Sequence, residues 1–163
     1  MEQALIGASF KLRNFNKEGY KMITDQDIIT LARTIYGEAR GEYTHPSGGL
    51  AALIGVANVV MNRTKAGGRF GDGVHNVCTR PYQFSCWNAS DPNRSLISRL
   101  EKGSNLLFDI CYLTASEVAR GSWPDLTKSS DHYHAPMERL PAWAIGKKPV
   151  VTLGRHHFYK LIP

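Results

Sequence analysis

The sequence predicts an α+β fold class: a helix-dominated single domain with short β-strands in its C-terminal third. Segments 28–39 and 50–61 repeat apolar residues at helical spacing. From residue 131 the pattern changes to short runs rich in alternating and β-branched residues. Helices followed by short strands are typical of an α+β domain, and 163 residues are about the length of one such domain.

The first helix is predicted to begin after Thr24, because Thr24 and Asp27 resemble a weak capping box. Apolar residues then recur at helical spacing as far as Ala39, and Gly41 is predicted to end the helix. The second helix starts at Leu50, after a glycine-containing turn, and is apolar nearly all round. We therefore expect it to be the central, buried helix.

The middle of the chain alternates loops with one longer helical region. Segment 65–73, KAGGRFGDG, is too rich in glycine for regular structure, and segment 81–88, PYQFSCWN, is predicted to be an aromatic loop or short strand. A helical region begins near Asp91, breaks or bends at Gly103 and stops at Gly121. The later segments HYHAP, KPVVTLG and RHHFYKL are predicted to be strands or extended.

Residues 1–22 show little periodicity and carry several basic side chains, so we predict a basic N-terminal arm followed by one globular domain over residues 23–163. The arm lacks the basic and then apolar pattern of a secretory signal, which predicts a cytosolic location. No uncharged stretch reaches the roughly 20 apolar residues that span a bilayer, so no stable membrane insertion is expected. We expect a monomer.

The net charge of +6 and the pI near 9.3 favour polyanionic partners: nucleic acid, anionic lipid or the bacterial cell surface. The basic residues are spread along the chain with no run longer than two, which argues against nucleic acid. The three cysteines, Cys78, Cys86 and Cys111, form no C-x-x-C pair, and their odd number suits a disulfide framework poorly. We expect buried, reduced thiols, with a Cys78–Cys86 disulfide as the alternative.

Two glutamates lie four residues apart near the end of the first predicted helix, in the segment YGEARGE. On a helical wheel of about 100° per residue, Glu38 borders the apolar face, and Glu42 points into it if the helix continues past Gly41. A carboxyl group beside apolar surface is penalised when ionised and can therefore hold a proton at neutral pH. A general acid that breaks a glycosidic bond needs this property. The alternative is that both are solvated or capping residues.

Several blocks of the chain resemble the SleB/CwlJ-like cell wall hydrolases in order and spacing. They are LARTIYGEARGE, GLAALIGVANVVMNR, GGRFGDGVHNVCTRPYQFSCWN, ARGSWPDLT, HYHAP, PAWA and GRHHFY, which together cover about residues 27–159. The resemblance implies a lysozyme-like lytic transglycosylase domain that cuts peptidoglycan between N-acetylmuramic acid and N-acetylglucosamine. It implies that Glu38 is the catalytic acid and that Glu42 supports it by fixing the helix end or the next loop. No cofactor or metal is implied.

A single carboxyl group suffices for transglycosylation. It protonates the leaving oxygen, the C6 hydroxyl of the muramic acid attacks the anomeric carbon, and the product carries a 1,6-anhydro ring. A hydrolytic muramidase would usually need a second carboxylate within roughly 5–10 Å. Since Asp72, Asp91, Asp125 and Asp131 lie in predicted loops, hydrolysis remains an alternative.

Substrate contacts are predicted in the PYQFSCWN and HYH blocks. Tyr82 and Trp87 offer ring faces for sugars, and Gln83 and Ser85 offer hydrogen bonds to sugar hydroxyls. The resemblance places this block, and Tyr133 of HYH, beside the cleft. There the Tyr133 hydroxyl is expected to orient the catalytic glutamate or to bind an acetamido group. The alternative for the aromatic residues is packing in the core.

Two alternatives of other classes remain. The histidines of DHYH and RHH would suit a zinc-dependent peptidoglycan amidase or peptidase, but no H-E-x-x-H helix is present. The chain could also be a basic module that binds glycan or nucleic acid without cutting it. Because neither a signal peptide nor wall-binding repeats are recognisable, a phage endolysin is expected, which stays in the host cytoplasm until a holin opens the membrane.

Overall fold

The computed structural model describes residues 22–137 and 139–163, in which five α-helices precede three short β-strands. The helices are α1 (Asp25–Tyr43), α2 (Leu50–Ala66), α3 (Val74–Thr79), α4 (Asn93–Ile97) and α5 (Leu106–Ala119). The strands are β1 (His132–His134), β2 (Val151–Leu153) and β3 (His156–Tyr159). The predicted helix-dominated α+β class is confirmed. The predicted arm lies outside the described residues up to residue 21, so its boundary stays a prediction.

Helix α1 begins as the sequence predicts and ends later. The Thr24 hydroxyl accepts from the Asp27 N–H at 3.1 Å, and the Asp27 carboxylate accepts from the Thr24 N–H at 3.0 Å, which completes the capping box. The prediction that Gly41 ends the helix is wrong, because α1 continues to Tyr43. A glycine costs an exposed helix only about 1 kcal/mol, and Ala39 and Glu42 are both buried on the inner side of this last turn.

Helix α2 is the central helix, as predicted. Ten of its 17 residues are buried, and α1 and α5 both pack against it. A Cβ atom on Gly55 would lie 2.5 Å from Phe158 Cζ, so only glycine lets β3 approach α2 this closely. The core of the domain therefore forms where the three long helices meet one face of the sheet.

The three strands form one antiparallel sheet in the order β1–β3–β2. Phe158 at the centre of β3 pairs with Tyr133 on one side and Val151 on the other. Since side chains alternate across a strand, Tyr133 points from β1 to the face opposite that of His132 and His134. This register directs the tyrosine toward the helices.

The middle of the chain departs from the prediction only in the segment that leads to α3. Segment 65–73 contains a short 3-10 helix, Gly68–Phe70, and is followed by α3, which the sequence pattern did not predict. Segment 81–88 forms a 3-10 helix at Ser85–Trp87 and no strand. The helical region predicted to break or bend at Gly103 is broken: α4 ends at Ile97, Gly103 adopts a positive φ of 91° in the connection, and Asn105 caps α5 by accepting from the Phe108 N–H.

All three cysteines are buried free thiols, as predicted, and the Cys78–Cys86 disulfide is absent from this structure. Burial raises the pKa of Cys78 and Cys111 to about 12 and also raises that of Cys86. In residues 22–137 and 139–163, no helix combines the length and the apolar character needed to cross a membrane.

Candidate active site

Glu38 lies on α1, partly exposed, and its carboxylate receives hydrogen bonds from two distant segments. Oε1 accepts from the Cys86 N–H at 3.0 Å and from the Ser85 hydroxyl at 3.3 Å. Oε2 accepts from the Tyr133 hydroxyl at 2.8 Å. Each carboxylate oxygen therefore has a donor, and these donors fix the orientation of the group.

The Ser85 segment, residues 84–87, contains the 3-10 helix Ser85–Trp87 and can reach Glu38 because Gly37 has no side chain. A Cβ atom on Gly37 would lie 2.6 Å from the Cys86 Cβ atom, closer than real Cβ atoms approach one another. One turn earlier on α1, the Thr34 hydroxyl accepts from the Trp87 indole N–H at 2.9 Å. Gly37 and Thr34 thus hold this segment against α1 and aim the Cys86 N–H at the carboxylate.

Tyr133 reaches Glu38 from the opposite side, from the middle of β1. Its ring packs against His156 and Phe158, with centroid distances of 5.1 and 5.6 Å. Burial raises the pKa of Tyr133 well above its usual value, and the negative charge of Glu38 adds to the effect. The phenol consequently stays protonated and keeps its O–H available as the donor to Glu38.

Glu42 is 4% exposed and forms an ion pair with Arg155 in the turn between β2 and β3. The Arg155 backbone N–H donates to Oε2 and its Nε to Oε1, both at 2.8 Å. Burial opposes ionisation, but these hydrogen bonds, with His156 nearby, lower the pKa of Glu42. The carboxylate joins the end of α1 to the sheet; its role in activity stays a prediction.

The other predicted contact residues do not all face Glu38. Ser85 is exposed beside it, and Trp87 is half-buried against α1. Tyr82 is 90% exposed at a positive φ of 65°, with no close ring neighbour among the described residues. Gln83 turns inward, donating to the Phe70 carbonyl oxygen and accepting from Arg63. The side-chain amide of Gln83 is therefore used within the protein.

Three groups at the site were missed by sequence reasoning: the Cys86 backbone N–H, Arg155 and Arg63. A backbone donor leaves no signature in a residue pattern. Arg155 lies 113 residues from its partner, so local spacing cannot pair the two. Arg63 did leave a signal, since it is a charged residue on a helix that is otherwise apolar nearly all round.

The histidines of the last third are distributed over separate contacts. His132 bonds the Asp131 carboxylate, and His134 bonds the Tyr159 hydroxyl at 3.0 Å. His156 is buried with an unpartnered Nδ1, and burial lowers its pKa. In the described part of the chain, no three histidine, cysteine or acidic residues are grouped so as to hold a metal ion.

Glu38 lines none of three pockets found among the described residues, which have volumes of about 430, 280 and 220 Å³. The first of these is lined by residues 66–70 and 161–163. The Glu38 side chain instead lies partly exposed between the Ser85 segment and β1. A partly exposed position outside a deep pocket suits a long polymer that lies along the surface better than it suits a small enclosed ligand.

Comparisons with known proteins were made for sequence and for structure. The model of the cell wall hydrolase family matches residues 48–159, a range that contains Ser85, Cys86 and Tyr133 and begins after Glu38. No curated protein matches the chain.

Two solved structures are similar in fold. The catalytic domain of the Bacillus cereus SleB protein has 24% sequence identity and a TM-score of 0.63, with 90% of this chain and 96% of that chain covered. The catalytic domain of the germination-specific lytic transglycosylase SleB from Bacillus anthracis also has 24% identity, with a TM-score of 0.58 and coverages of 85% and 97%. At this identity the likeness supports the fold.

Proposed function

The chain belongs to the cell wall hydrolase family, and on that premise we propose that it cleaves peptidoglycan glycan strands as a lytic transglycosylase. Glu38 is the single acid and base of this proposal. The observation that carries it is the pair of clamps on the carboxylate, from Tyr133 on one side and from the Cys86 N–H on the other. A partly exposed glutamate held by donors from two distant segments is an arrangement for placing a proton accurately.

In the proposed reaction, the protonated Glu38 carboxyl gives its proton to the glycosidic oxygen between N-acetylmuramic acid and N-acetylglucosamine. The bond from the anomeric carbon to that oxygen breaks, and the muramic acid C6 oxygen forms a bond to the same carbon. The carboxylate then takes the proton of the C6 hydroxyl. No water is consumed, and the Tyr133 and Cys86 donors stabilise the carboxylate between the two proton transfers.

Three other carboxylates, those of Glu42, Asp125 and Asp131, are used within the fold, which supports a one-carboxylate reaction. Glu42 is paired with Arg155. Asp131 accepts from the Leu161 and Ile162 N–H groups, and Asp125 accepts from Thr127, Ser129 and Asn62. Each of these carboxylates forms structural hydrogen bonds that would have to break before it could act as a catalytic base.

The glycan is proposed to lie over the exposed side of the Ser85 segment. Ser85 presents a hydroxyl beside Glu38, and Tyr82 presents a ring that is almost fully exposed. An exposed aromatic ring offers a flat apolar platform of the kind on which sugar rings stack. We propose both as substrate contacts, with Trp87 supporting the segment from beneath.

The deciding experiment is mass spectrometry of the fragments released from purified peptidoglycan sacculi. We expect anhydromuramic ends from the wild type, none from Glu38→Gln, and unchanged products from Glu101→Gln, a control at an exposed glutamate. Reducing muramic ends would identify a muramidase, and cleavage of peptide or amide bonds that stops in chelator would identify a zinc enzyme. Binding without cleavage would leave only a glycan-binding module and would overturn the proposal.

We also propose, from the resemblance and the basic charge, that the enzyme serves in bacterial cell lysis from the host cytoplasm. The test is expression in the bacterial cytosol with and without a pore-forming holin. Lysis that requires both the holin and Glu38 supports the proposal. Lysis without the holin, or none with it, contradicts this role while leaving the cleavage chemistry intact.

A further inference from the structure

Arg63, near the end of α2, is a buried cation without a carboxylate partner. It is 7% exposed, and none of the described carboxylates forms a salt bridge with it. Its guanidinium lies 4.9 Å from the Phe84 ring centroid and 5.2 Å from that of Phe70. Burying a charge without a counterion costs desolvation free energy. Packing alone therefore does not account for an arginine at this position.

The hydrogen bonds of Arg63 supply that reason. Nε donates to the Asp131 carbonyl oxygen at 2.7 Å, and Nη1 donates to the carbonyl and side-chain oxygens of Gln83 at 3.3 and 3.4 Å. Asp131 directly precedes β1, and Gln83 directly precedes Phe84 at the start of the Ser85 segment. One rigid side chain therefore binds both segments whose donors hold Glu38.

Each residue that Arg63 binds lies only a few positions along the chain from a donor to Glu38. Tyr133 follows Asp131 by two residues, and Cys86 follows Gln83 by three. A shift of either carbonyl oxygen therefore moves one of the donors to Glu38 with it. Phe84, stacked under the guanidinium and fully buried, stiffens the second connection.

The positive charge of Arg63 also interacts electrostatically with groups of the candidate site. Burial lowers the pKa of the guanidinium, and the neighbouring Tyr133, Asp131 and Glu38 groups oppose that shift. An arginine side chain stays protonated in proteins. The cation thus remains in place, behind the two donor segments.

We propose that Arg63 is a positioning residue, which acts on the reaction by fixing the Ser85 segment and β1 at the separation that lets both clamp the Glu38 carboxylate. The inference rests on the proposed function. A lysine cannot replace it, because an ammonium group has no rigid fork with which to reach two carbonyl oxygens on different segments. Arg63 itself does not touch substrate, so turnover should fall more than substrate affinity does.

The experiment compares Arg63→Lys and Arg63→Met with the same changes at Arg33. Arg33 is the control, since its Nε also donates to a backbone carbonyl oxygen, that of Leu100 at 3.0 Å, and among the described residues it forms no hydrogen bond with either clamping segment. With soluble glycan strands as substrate, we expect the Arg63 variants to lose about tenfold or more in kcat, with KM changed by less than about threefold. The Arg33 variants should keep the kcat of the wild type when they are compared with Arg63 variants of the same thermal stability.

A second readout does not depend on activity. The readout is the carbon-13 NMR chemical shift of Tyr133 in protein labelled at the tyrosine Cζ, with the signal assigned through Tyr133→Phe. We expect this chemical shift to change in Arg63→Lys and to stay the same in Arg33→Lys. An unchanged Tyr133 signal, or a kcat loss no greater than that of the Arg33 variants, overturns the inference. If the wild type cuts no glycan bond, the proposed function fails, and the Tyr133 signal still decides whether Arg63 positions the clamp. Should Arg63→Met not fold, the lysine variant carries the test.

Discussion

The Tyr133 hydroxyl donates to Glu38 Oε2 at 2.8 Å although 95 residues separate the two in the chain. The contact joins the sheet to the first helix at the candidate catalytic carboxylate. It depends on the register of a three-residue strand, because a shift of β1 by one residue would turn Tyr133 to the other face.

Removing the Tyr133 hydroxyl should reduce turnover. We expect Tyr133→Phe to lower kcat by about ten- to a hundredfold, because the carboxylate loses one of its two clamps and the ring still fills its place in the core. The control is Tyr112→Phe, on α5, which should retain full activity. Equal rates for the wild type and Tyr133→Phe would show that the hydroxyl has no part in the reaction.

The close contact between the Ser85 segment and α1 can be tested by replacing glycines of α1 with alanine. Gly37→Ala should lower both stability, by about 1–3 kcal/mol, and activity, because its new methyl group would collide with Cys86. Gly41→Ala, on the same helix, meets no atom within 4 Å and should stabilise the protein by about 0.5–1 kcal/mol. Chemical denaturation and glycan cleavage assays measure the two effects. Equal stability changes at the two positions would contradict the close contact.

The ion pair between Glu42 and Arg155 should make stability depend on pH. Since the pKa of Glu42 is lowered on folding, its contribution is fully present above the unfolded value of about 4.5 and is lost as pH falls through the lower, folded value. Glu42→Gln should therefore cost about 1–3 kcal/mol at neutral pH and less in acid. Thermal melts from pH 7 to pH 3 measure this difference.

Glu42 and Arg155 should not contribute equally to the stability of the protein. Arg155→Met leaves the Arg155 backbone N–H donating to Glu42, so it should destabilise the protein less than Glu42→Gln does. A larger cost for Arg155→Met would show that the side chain alone holds the helix end to the sheet.

The thiols should be inert in the folded protein. Cys78, Cys86 and Cys111 are buried, and burial raises the pKa of each. A thiol-specific reagent should react with none of them in native conditions and with all three after denaturation. Fewer than three reactive thiols in denatured, unreduced protein would indicate a disulfide that this structure does not contain.

Much of the fold follows from local pattern. The capping box of Thr24 and Asp27 marks the start of α1, and the continuous apolar face of α2 identifies the central helix. The end of α1 does not follow from local pattern, because the tertiary packing of Glu42 outweighs the helix-breaking tendency of Gly41. Helix α3 was missed since its six residues are too few to show a period.

The sequence by itself determined the class of fold, the buried helix and the carboxyl group at the edge of an apolar face, since each depends on residues within a few turns of one another. Only the tertiary structure decided which groups touch that carboxyl group. Tyr133 comes from a strand and the Cys86 N–H from a 3-10 turn. Arg63, on a second helix, binds residues near both donors, and Gln83 proved to bind Arg63 instead of facing the surface. Periodicity records which side of an element is buried, whereas the partner on that side is chosen by packing and strand register across the whole chain.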